Sequence, residues 1–179
     1  MLFRVPFLRA LFPDAVFLGA ERDGLATAHS VARWSQRFGR TVRGVRHHWW
    51  GVDGRKWRAL CAEALPREPD LAPHRAELAA LADDHARAAL EWLLNRRQLE
   101  RLRTARTPSL HVVRLEDFRR EPEVVLAGVL AACGLAADPE LLVQARATLA
   151  LAERQPAGLI PLPEPLATAF AAELERYRG

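Results

Sequence analysis

Phe12-Pro-Asp-Ala-Val-Phe-Leu-Gly-Ala-Glu-Arg-Asp-Gly24 is the stretch on which the fold turns. Residues 15–20 carry Val16, Phe17 and Leu18 in a run too continuous for a half-exposed strand, which predicts a strand in the core of a parallel sheet. After Arg22 the period changes. Leu25, Ala28, Val31, Ala32, Ser35 and Phe38 fall on one helical face, with Asp23 as N-cap and Gly39 as stop. A strand, a turn carrying an arginine and a helix are the parts from which α/β folds build a site for a phosphate or sulfate group. A nucleotide-binding α/β domain ordinarily has more chain ahead of such a strand, so the expectation is a chain that lacks part of its own active site.

Outward from that stretch, strand and helix signals alternate. Residues 40–70 read as irregular, with Gly44, Gly51, Gly54, Pro66 and Pro69 as breakers and a short helix at 56–64. Residues 71–103 read as two helices broken near Ala82-Asp83-Asp84. Ser109-Leu-His-Val-Val-Arg114 reads as a second buried strand, followed by the acidic turn Leu115-Glu116-Asp117-Phe118. Pro122 opens the next helix where its missing N–H costs nothing, and Gly134 closes it. Asp138-Pro139 opens another, and after a Pro-rich loop at 155–165 a last amphipathic helix runs to about Tyr177. The expected class is α/β: a P-loop-like parallel sheet flanked by helices, truncated and helix-rich, in a single domain over residues 1–179.

At 179 residues, half of them hydrophobic, the chain is long enough to bury a real core. Cys61 and Cys133 lie in helical patterns with no metal-ligand spacing, which argues against a disulfide framework or zinc site and for a reducing, cytoplasmic setting. The opening MLFRVPFLRALF is interrupted by Arg4, Pro6 and Arg9, and no run approaches the about 18 apolar residues that cross a bilayer. The net charge is +4, yet Lys56 is the only lysine among 26 basic residues, a usage that looks like GC-rich bacterial coding rather than selection for nucleic-acid contacts. Arg33, Arg37, Arg40, Arg43 and Arg46 follow the first motif with no acid among them. Taken alone such a run reads as a solvated face.

Arg22 and Ser30 are the candidate binding residues. An arginine at the carboxyl end of a parallel strand stands where α/β folds bind ligands; its planar fork bonds two phosphate oxygens at once, and a hydroxyl on the adjacent helix adds a third donor. His47 and His48 are adjacent and have no carboxylate or cysteine to complete a metal set, so no metal is assigned. Trp49, Trp50 and Trp57 read either as the lining of a pocket for a small acceptor or as packing under the loop. Glu116 and Asp117 read as a helix cap or as partners of neighbouring arginines rather than as catalytic groups.

The order Phe-Pro-Asp-Ala, apolar strand, Arg22-Asp-Gly, Ser30, then Val-Val-Arg-Leu-Glu-Asp-Phe118, Pro122 and Cys133-Gly-Leu135 resembles the sulfotransferases that use 3′-phosphoadenosine 5′-phosphosulfate (PAPS). The resemblance covers about residues 4–136. It implies that Arg22 and Ser30 hold the 3′-phosphate, and that the reaction is in-line transfer of a sulfuryl group to a hydroxyl or amine of a small-molecule acceptor, without a metal. Nothing before Phe12 matches the family's phosphosulfate loop or its catalytic base, so no catalytic residue is assigned. The aromatic residue that often precedes Glu-Asp is Leu115 here, and Arg154-Gln-Pro-Ala-Gly158 is only a faint echo of the glycine-rich closing loop. Two other readings stay open: a non-catalytic nucleotide- or anion-binding module that keeps the 3′-phosphate grip, and a basic helical nucleic-acid-binding protein. A truncated sheet would also expose strand edges and apolar faces, so self-association is expected.

Overall fold

The computed structural model describes residues 2–42, 44–150 and 158–179. In chain order its elements are α1 (Val5–Leu11), β1 (Phe17–Glu21), α2 (Gly24–Phe38), β2 (Arg40–Val42), β3 (Val45–His47), α3 (Arg55–Ala59), α4 (Arg75–Ala79), α5 (Asp84–Thr104), β4 (Leu110–Arg114), α6 (Leu115–Arg120), α7 (Pro122–Ala132), α8 (Pro139–Ala150) and α9 (Leu166–Arg178). The protein is helix-rich with a small parallel sheet.

Local chemistry explains several boundaries. The Asp23 carboxylate accepts from the Ala26 N–H at 3.1 Å and starts α2. Asp83 does the same for α5 through the Ala86 N–H at 2.8 Å, which is why the helical stretch breaks at that aspartate. Pro122 occupies the first turn of α7. Gly134, at φ 71°, lets the chain leave that helix with bonds from Gly134 N to Ala131 O and from Leu135 N to Leu130 O, a Schellman ending. Gly39 also follows a helix end, but at φ −59° its left-handed freedom is unused.

Residues 115–118, expected as an acidic turn, are the start of α6, a short helix that follows β4 directly. Residues 40–42 and 45–47, expected as irregular, form an antiparallel β2–β3 pair, Arg40↔His47 to Val42↔Val45. Arg43 lies outside the described residues, as do 154–157 of the faint closing-loop echo.

The chain divides into two compact units: unit 1 is Met1–Arg22 with Arg96–Gln155, and unit 2 is Asp23–Asn95 with Pro156–Gly179. In unit 1, β1 and β4 pair in parallel, Phe17↔Leu110 through Glu21↔Arg114. Leu99 of α5 reaches this sheet because Gly19 has no side chain; a Cβ there would stand 3.2 Å from Leu99 Cδ1. Gly19 and Glu21 are buried while Leu18 is 51 % exposed, so β1 is a one-sided strand and not the fully buried one expected from its apolar run.

Unit 2 has the larger apolar core. Ala28, Val31 and Ala32 of α2, Leu90, Leu93 and Leu94 of α5, and Leu166, Phe170 and Leu174 of α9 are all buried. The Trp92 ring meets Phe170 edge-on at 5.1 Å and Tyr177 at 6.2 Å between centroids. Each buried leucine, valine or phenylalanine side chain here contributes about 1.5–3 kcal/mol.

Candidate functional site

Arg22 is the residue after β1 and is half-buried. Its neighbour Glu21, whose side chain is only 5 % exposed, is held by two arginines of α5. Arg96 Nη1 stands 3.1 Å from Glu21 Oε1, and Arg103 approaches both carboxylate oxygens, Nη2 to Oε2 at 3.2 Å and Nη1 to Oε1 at 3.4 Å. Glu100 shares the same guanidiniums, with Arg103 Nη1 at 2.6 Å and a contact to Arg96 Nη1. Partial burial works to raise the Glu100 carboxyl, but hydrogen bonds and charge from Arg96 and Arg103 outweigh it and hold that carboxyl below its ordinary range. The end of β1 is therefore fixed to α5 by directional ion pairs and to β4 by the Glu21↔Arg114 register.

Ser30 lies in the second turn of α2, half-buried, in unit 2. Arg22 and Ser30 thus fall in different units, and each is placed within its own. At the start of α2, Asp23 caps the helix with one oxygen and takes the Arg178 guanidinium with the other, at 2.6 and 2.7 Å. Gly24 is buried there, and a Cβ would come within 2.9 Å of the Trp92 ring and 3.0 Å of Phe170. The glycine of the Arg-Asp-Gly sequence is thus required by packing, which no local pattern announces. Arg33 and Arg37 are exposed on the same helix.

The tryptophan cluster is tied into its surroundings by hydrogen bonds and ring contacts. Trp50 and Trp57 are buried, and they bond Asp84 Oδ1 at 2.6 Å and the Ala79 carbonyl at 3.0 Å through their indole N–H groups. Trp49, half-buried, donates to Glu91 Oε2 at 2.6 Å, while Lys56 Nζ sits 2.6 Å from Glu91 Oε1 and 4.1 Å from the centroid of the Trp49 ring. His48 Nδ1 accepts from the Trp50 backbone N–H at 3.1 Å. Burial pushes the Cys61 thiol up to about 11, against the lowering charges of Arg87 and Arg75, so it stays protonated at neutral pH.

Within unit 1, a groove of about 380 Å³ runs along β4 and is closed by Asp117 of α6 and by Val125, Gly128 and Val129 of α7. Asp117 pairs with Arg120 at 2.5 Å, so one of the two acids of the second motif serves a neighbouring arginine. Among the described residues, no group of three or more His, Cys, Asp or Glu is arranged to hold a metal ion, and no helix is long and apolar enough to cross a membrane. The Glu21 cluster went unread in the sequence, because residues 75 to 82 positions apart carry no periodic signal; the only local hint was a lone acid at the end of an apolar run. No family model, no curated protein and no solved structure matches this chain.

Proposed function

We propose that the chain binds a 3′-phosphorylated adenine nucleotide of the PAPS type, as a sulfotransferase-like α/β domain built on a P-loop-like sheet, with Arg22 and Ser30 holding the 3′-phosphate. The observation that carries this reading is the run β1, Arg22, capping Asp23, α2: an arginine directly at the carboxyl end of a parallel strand, then a 15-residue helix with Ser30 in its second turn. That is the place at which open α/β sheets receive ligands. The parallel pairing of β1 with β4 also supports it, since these strands carry the two sequence segments on which the sulfotransferase resemblance rests.

In this reading Arg22 bonds two phosphate oxygens through its fork, and Ser30 donates its hydroxyl to the same group. Sulfuryl transfer to a hydroxyl or amine is the activity the resemblance implies. It depends on positioning and on cations around the leaving group, and no residue of this chain is assigned as its catalytic base.

The test is calorimetric titration with adenosine 3′,5′-bisphosphate. A charge-assisted contact is worth about 1.5–3 kcal/mol, so Arg22→Ala should weaken binding by about 10- to 150-fold. Ser30→Ala, which removes a neutral donor worth about 0.5–1.5 kcal/mol, should cost about 2- to 10-fold. Unchanged affinity in Arg22→Ala would sink the reading. Binding without sulfuryl transfer to any acceptor would support the non-catalytic module over the enzyme.

A further inference from the structure

We propose that Glu21 is a positioning residue: clamped by Arg96 and Arg103, it fixes the point at which Arg22 leaves β1, and so sets the preference for ligands that carry a 3′-phosphate. This rests on the role proposed above for Arg22 and concerns how that role is made selective.

Three observations carry it. The first is cost. Taking a carboxylate to 5 % exposure is unfavourable unless it is paired, and well-packed apolar side chains usually hold two elements together as well as or better than a buried ion pair. Leu99 of α5 already packs against β1 at Gly19. A carboxylate at position 21 therefore adds little cohesion that a leucine would not, whereas the Arg96 and Arg103 contacts add direction, because a guanidinium fork meets carboxylate oxygens in a fixed geometry.

The second is charge. Glu21 and Glu100 match Arg96 and Arg103, two carboxylates against two guanidiniums, so these four side chains together are formally neutral. The cluster contributes geometry to its surroundings rather than a positive field for an anion.

The third is place. Glu21 is the last residue of β1, its backbone is in register with Arg114, and Arg22 follows with no intervening residue. Binding groups work when their supporting contacts hold them within about 0.5 Å of the productive position, and here the support is one peptide bond away.

The experiment compares two ligands on the full chain by calorimetry: adenosine 3′,5′-bisphosphate and adenosine 5′-phosphate, which lacks the 3′-phosphate. Glu21→Gln keeps the side-chain shape and removes its charge; Arg103→Gln, at a more exposed helix position, provides the same test where Glu21→Gln fails to fold. Each variant should lower the affinity ratio of the two ligands by about fivefold to tenfold and leave adenosine 5′-phosphate binding within about twofold. A purely structural role would weaken both ligands together or neither. That result, with Arg22→Ala still collapsing the ratio, overturns the positioning role and leaves the Arg22 reading standing. A ratio unchanged in Arg22→Ala overturns both.

Discussion

Unit 2 buries most of its large apolar side chains, with Leu159 and Trp34 among the exceptions; unit 1 displays many of its own. Leu65, Leu71, Leu78, Leu90, Leu93, Leu94 and Leu166 are fully buried in unit 2, whereas Phe7, Leu11, Phe12 and Leu18 of unit 1 are each more than half exposed. The architecture of each unit explains the difference. Helices with apolar stripes can close on one another from short segments, as α2, α5 and α9 do around Trp92 and Phe170. A parallel sheet needs cover on both faces and partners at both edges, and the β1–β4 pair has Leu99 behind Gly19 while Leu18 looks outward. Exposed apolar area of that kind is also how chains associate with one another.

The comparison breaks most visibly under core truncation. Leu90→Ala or Leu93→Ala in unit 2 should cost about 2–5 kcal/mol in denaturant unfolding, and Leu18→Ala on the exposed face of β1 should stay within about 0.5 kcal/mol. Equal losses would mean that the outward face of β1 is covered in solution and the contrast is false.

A smaller effect sharpens the unit 2 side. Gly24→Ala places a methyl 2.9 Å from the Trp92 ring, so the helix start or the ring must move. Overpacking of this sort costs about 1–3 kcal/mol, and the unfolding midpoint should fall even though alanine is the better helix former. A neutral or stabilising result would show that Trp92 and Phe170 yield easily, and that the core of unit 2 is looser than its burial suggests.

The smallest expected effect concerns unit 1 and acid. Glu100 titrates below its ordinary range in the folded protein, so its contribution is full above the unfolded value and is lost as pH falls through the lowered folded value. Unfolding midpoints followed into the acid range should drop less steeply in Glu100→Gln than in the parent. Since Glu100 is 41 % exposed, added salt should shrink the difference, and an identical acid limb in the two proteins would remove Glu100 from the account.

What was legible in the sequence is what local chemistry decides. Asp23 as cap, the break before Asp84, Pro122 in a first turn and Gly134 past a last one each act within a few residues and could be read there. The β2–β3 pair escaped because strands of three residues are too short to show a period of two. The helix at Leu115–Arg120 escaped because a charged six-residue segment shows no apolar stripe. At the candidate site, Arg22 and Ser30 were legible as residue types next to a strand and on a helix. The reason Glu21 is buried was not, since its partners lie on α5, far along the chain. The continuous apolar run at β1 was misleading in the other direction: composition permits burial on both faces, but only packing supplies it.

Lys56, resting on Trp49 and bonded to Glu91, has a consequence for anyone handling the protein. It is the only lysine in the sequence, so an amine-directed acylating reagent meets a single side chain. Acylation there abolishes the cation that Glu91 and the indole share, which makes the yield of a simple labelling reaction, followed by the mass of one peptide, a gauge of how tightly the tryptophan loop is shut.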